Sequence, residues 1–175
     1  MAYRYSPMHR AFHWLTAAAV LAQAVLGIWI TQFGPKNEAF KYLLYDIHEN
    51  IGFTLLPITL WRLWLRRRRP PAPLPENTPA VIEFAAMANH ASLYLALIGM
   101  PILGVLATAA WGFPFKWFGL LPIPSPFGAS EYWAPVFSYL HWLGAIALGL
   151  AVFAHIGGAL YHGLIRRDGV LQRML

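Results

Sequence analysis

The stretch HWLGAIALGLAVFAH, from His141 to His155, constrains this chain more than any other. Its two histidines are fourteen residues apart, which on an α-helix is about 21 Å of rise with a residual rotation of about 40°. Both imidazoles therefore leave one face of one helix, at opposite ends. Only apolar residues and glycines lie between them, so in a bilayer each histidine marks one edge of the hydrocarbon. The rest of the chain must supply their partners.

Hydrophobic residues make up 58% of the 175 positions and charged residues only 11%, too few charges to cover a soluble globule of this size. The chain reads as an integral membrane protein. The formal charge of +6 does not indicate a nucleic-acid partner, because the basic residues cluster at the ends of apolar runs and form no basic face. Cysteine is absent, which removes disulfides, iron–sulfur ligation and thiolate ligation of haem or zinc. The seven histidines are the available soft ligands. The segment MAYRYSPMHRAFHW lacks the pattern of a cleaved signal peptide, so the first apolar run is expected to be retained.

Four runs are long enough to cross a bilayer: about residues 9–31, 42–65, 82–109 and 135–165. Gly34 and Pro35 end the first, and Asp46, His48, Glu49 and Asn50 open the second. The proline-dense segment PPAPLPENTP, residues 70–79, reads as an extended connector. Residues 111–133, rich in aromatics and prolines, read as a loop on the membrane surface with one short helical turn. A short polar tail finishes the chain. All ten arginines lie in the N-terminal segment, at the end of the second run, or after the fourth, while Lys36, Lys41 and Lys116 lie on the opposite side. The positive-inside rule then puts both termini in the cytoplasm. The expected architecture is one all-α domain over residues 1–175, a four-transmembrane-helix bundle.

This topology assigns each histidine a depth. His13 and His155 share the cytoplasmic half, and His48 and His141 share the periplasmic half. Ionisable residues inside a membrane are costly and mark function. Two histidine pairs at two depths suit two low-spin haems, each held by neutral imidazoles on opposite faces, and form an electron wire across the bilayer. Zinc would want three or four ligands at one point. Gly27, Gly52, Gly144, Gly157 and Gly158 are small residues placed to admit a flat macrocycle or tight helix packing. Arg62, fourteen residues after His48, is a candidate partner for a haem propionate at the cytoplasmic level. Arg66 to Arg69 read as topogenic and lipid-binding. His9 reads as interfacial and His90 as a core hydrogen bonder or quinone contact. His162 is a candidate contact for a propionate or a quinone.

These residues resemble the bacterial cytochrome b561 family. The matching pieces are YSPMHRAFHWL, IHENIGFTLLPITLWRL, HASLYLALIGMPILG and HWLGAIALGLAVFAHIGGALYH. The resemblance implies a four-helix dihaem protein of the bacterial inner membrane, with two haem b ligated by His13/His155 and His48/His141. It further implies ubiquinone as acceptor and superoxide as an electron donor at the periplasmic face, where the three lysines would draw an anion. Many relatives carry two adjacent histidines where this chain has His162 and Gly163. Two rival readings remain open: a cytochrome b anchor subunit relaying electrons from a dehydrogenase or hydrogenase to quinone, and a histidine-based metal or proton transporter.

Overall fold

Helix signals in the sequence set the four long elements of the computed structural model, which describes residues 4–126 and 128–175. Helix α1, Pro7–Gln32, starts where the Ser6 side chain accepts the His9 N–H and proline fills the first turn. Helix α2, Glu38–Arg68, is capped by Asn37, whose side chain accepts the Phe40 N–H at 3.0 Å. That cap explains why α2 begins earlier than the apolar run. Helix α3, Ala80–Ala110, follows Pro79 and retains Pro101 in its interior. Helix α4, Trp133–Leu160, continues into a π-helical turn, Tyr161–Arg166, which ends at Arg167 in the left-handed region. The helices pack in chain order, α1 along α2, α2 along α3 and α3 along α4.

Helices α1, α3 and α4 are long and apolar enough to cross a membrane. Helix α2 is as long as α3 but carries Lys41, Asp46, Glu49, Arg62 and a terminal arginine run. Large apolar side chains face outward along the bundle, among them Val25, Leu95, Leu150 and Phe153. A surface of this kind is unsuited to water and suited to lipid. A small interior cluster of Ala110, Ala134 and Phe137, with Leu103, Leu106 and Ala107, joins α3 to α4 near the 111–132 connection.

That connection departs from expectation. In place of a helical turn it forms an antiparallel hairpin, β1 (Lys116–Trp117) against β2 (Leu121–Pro122), with Trp117 opposite Leu121. Phe118 and Gly119 take consecutive positive φ values of 50° and 69°, which reverses the chain. Phenylalanine is unfavourable there, and the side chain of Asn50 on α2 compensates by accepting the Phe118 N–H. Trp117 also donates to Thr54 at 3.0 Å. The IHENIGFT segment is thus the platform for the hairpin.

At the opposite end the tail folds back as a clasp. Arg173 donates to the Ala72 and Pro73 carbonyls, Arg166 to Asn77, Trp14 to the Met174 carbonyl and Arg4 to the Leu175 carbonyl. Gly163 makes room for it: a Cβ there would lie 2.5 Å from Leu171 Cδ2.

Candidate functional site

Two imidazole pairs occupy the two ends of the bundle. At the clasp end, His13 of α1 faces His155 of α4 with ring centroids 6.0 Å apart and planes at 56°. At the hairpin end, His48 of α2 faces His141 of α4 at 6.2 Å and 71°. Helix α4 contributes to both pairs, as the fourteen-residue spacing requires.

The surroundings of the two pairs differ. At the hairpin end, Nδ1 of His48 is buried without a hydrogen-bond partner among the described residues, a costly condition for a polar atom. Glycines approach both rings: a Cβ on Gly27 would lie 3.5 Å from His48 Cε1, and one on Gly104 would lie 3.4 Å from His141 Cε1. The fourteen-residue rule points to Gly27 beside this pair. Gly104 on α3 is not evident from the sequence, because only the packing of α3 on α4 relates it to His141. Gly144 packs instead against Met100, and Gly52 against Gln23, while a Cβ on Gly157 or Gly158 would meet no atom within 4 Å among the described residues.

At the clasp end, Arg62 lies 3.2 Å from His13 Nδ1 and 6.0 Å from the Tyr94 ring centroid. A guanidinium only donates, so Nδ1 accepts and the ring hydrogen sits on Nε2. His90 of α3 joins this group, its ring 5.4 Å from that of His155. Its depth on α3 is the sequence signal that would have placed it there. Among the described residues no three of His, Cys, Asp or Glu converge as a metal-binding set.

His162 stands apart, in the clasp. It is buried, and its Nδ1 lies 2.6 Å from Asp168 Oδ2, which also accepts from Arg166 Nε at 2.9 Å. Any cofactor contact by His162 is left to Nε2. Burial pushes the Asp168 carboxyl pKa up, but hydrogen bonds from His162, the Val170 N–H and Arg166 outweigh it and leave that pKa below the usual carboxylate value. Asp168 is not evident from the sequence, because nothing local relates it to a residue six positions earlier across a π-helical turn.

Opposed imidazoles inside an apolar helical bundle define a membrane protein built around a cofactor. The chain belongs to the prokaryotic cytochrome b561 family, whose model matches residues 4–175. It is 34% identical over 174 residues to cytochrome b561 homolog 2 of Escherichia coli K12, covering 98% of this chain and 91% of that one. It is 27% identical to cytochrome b561 homolog 1 of the same organism, covering 98% and 97%. It is also 27% identical to a probable superoxide oxidase, CybB, of Yersinia pestis, covering 98% and 96%. The protein is accordingly a multi-pass membrane cytochrome of b-type haem that transfers electrons.

Proposed function

We propose that this protein is a dihaem oxidoreductase of the bacterial inner membrane that passes electrons from superoxide at the periplasmic face to ubiquinone. The observation that supports the dihaem part of this reading is the spacing of the pairs, 6.0 and 6.2 Å between ring centroids. Two imidazoles bound on opposite sides of one metal at roughly 2 Å per bond have centroids about 6 Å apart. The glycines that approach both hairpin-end rings fit a flat group bound beside them.

In this reading His13 with His155 and His48 with His141 would hold the haem iron, which when bound would supply one-electron chemistry between two oxidation states. Ligation through Nε2 of His13 requires its ring hydrogen on Nδ1, which excludes the present hydrogen bond from Arg62. Arg62 is then released as a cationic donor beside the pair, suited to a propionate. Helix α2 is the fourth crossing, and its polar side chains have partners inside the bundle. Thr108 donates to Glu49 at 2.7 Å, Asn50 binds Asp46 and Phe118, and Arg62 meets His13. Both termini and the clasp face the cytoplasm.

The net reaction takes two superoxide anions, one quinone and two protons to two dioxygen molecules and one quinol. Lys36 and Lys116, exposed at the hairpin end, and half-buried Lys41 supply a weak positive field for the anion. The Yersinia pestis relative's name supports superoxide as donor. A reduced-minus-oxidised visible spectrum with haem quantification is expected to give two b-type haems per chain. Absence of any haem band favours a histidine-based transporter. In stopped flow, superoxide is expected to reduce the purified protein, and failure to do so removes it as donor.

A further inference from the structure

We propose that the clasp end of α2 carries a binding site for an anionic phospholipid. A cleft of about 420 Å³ opens there between α1 and α2, lined by Met8, Trp61, Trp64, Leu65, Arg68 and Arg69. Positions 61, 64, 65 and 68 share one helix face by the three- and four-residue spacing. The indoles of Trp61 and Trp64 stack with centroids 4.7 Å apart and planes at 24°. The Arg68 guanidinium carbon stands 5.5 Å from the Trp64 ring centroid, a cation–π contact that holds the cation at the rim of the cleft. Arg69 follows as the helix cap.

The cleft joins an apolar floor to a doubly cationic rim. Among the described residues no carboxylate is ion-paired with Arg68 or Arg69, and the two ion pairs present both engage Asp168. Two adjacent guanidinium groups without a counter-ion suit a phosphate that carries no ammonium of its own. Met8, Leu65 and the two indoles suit acyl chains entering at headgroup depth, where tryptophan is at home. A free phosphate has no use for that floor. A zwitterionic lipid brings its own cation against Arg68 and Arg69.

Native mass spectrometry of the full haem-loaded protein in detergent, titrated with phosphatidylglycerol or phosphatidylcholine, tests the site. Phosphatidylglycerol is expected to stay bound at least about tenfold more tightly than phosphatidylcholine, and equal retention overturns the proposal without any variant. The pair R68Q/R69Q is expected to lose about tenfold in phosphatidylglycerol binding. The pair R66Q/R67Q removes the same charge at nearly the same depth without touching the cleft, and is expected to keep most of it. Equal loss in both pairs means general surface charge and overturns the site. Displacement of the lipid by inorganic phosphate overturns the lipid assignment. An unchanged haem spectrum verifies that each variant is folded, and R68Q alone, expected to give an intermediate loss, repeats the test if a double variant does not fold.

Discussion

The two histidine pairs are alike in geometry and opposite in setting. The hairpin-end pair has glycine against each ring and an orphaned Nδ1 on His48. The clasp-end pair has a guanidinium on one imidazole and a third imidazole beside the other. In the proposed dihaem reading, equal spacing suits one kind of ligand at both ends, and unequal surroundings would tune its properties separately. A fixed cation favours the more reduced, less positive form of a nearby redox centre. In that reading Arg62 would raise the clasp-end potential relative to the hairpin end, giving electrons a downhill direction from periplasm to cytoplasm under the proposed orientation.

The largest expected effect comes from removing single ligands. His155→Ala should remove the clasp-end haem and leave the other, and His141→Ala should do the reverse, each seen as one haem per chain in a pyridine haemochrome assay. Loss of both haems from either variant would break the independence of the two sites. Next in size is Gly104→Leu, which thrusts a branched side chain into a position already 3.4 Å from the His141 ring at Cβ. Overpacking of this kind costs about 1–3 kcal/mol, so hairpin-end occupancy should fall while the clasp-end haem persists.

Arg62→Gln sharpens the electrostatic difference. Spectroelectrochemical titration should show the clasp-end midpoint falling by some tens of millivolts, given that about 59 mV is a tenfold change for one electron. The hairpin-end midpoint should hardly move. If both midpoints shift together, Arg62 does not act locally.

The smallest effect belongs to Asp168. Its folded-state pKa lies below the ordinary carboxylate value, so its contribution to the clasp is complete above that value and is lost as pH falls through the depressed one. Hydrogen exchange at residues 171–175 should be flat from neutral pH down to the carboxylate range, beyond the intrinsic pH trend, and should then rise. Asp168→Asn should abolish that dependence, and a wild-type transition near neutral pH would contradict the assignment.

Much of the frame is legible in the residues because helices are periodic. A rise of about 1.5 Å per residue converts spacing into depth, so the matched levels of His13 with His155 and of His48 with His141 can be read off the chain. The helix starts are less legible: the apolar runs begin at about 9, 42 and 82, whereas the helices begin at Pro7, Glu38 and Ala80, after Ser6, Asn37 and Pro79. The hairpin is less legible, since Phe118 at positive φ depends on an acceptor, Asn50, that lies 68 positions away. Gly104 is invisible for the same reason: only the packing of α3 on α4 brings it to the His141 ring.

By itself, then, the sequence determined which segments are helical and apolar, at what depth each histidine stands, and which family the chain resembles, all consequences of local geometry and composition. Tertiary structure alone decided the lateral relations. It set Arg62 on His13, His90 beside His155, Asp168 on His162, and the stacked indoles beneath Arg68. Depth is a property of one helix, whereas a neighbour at that depth depends on how each helix is rotated against the others, and rotation is settled only when side chains pack.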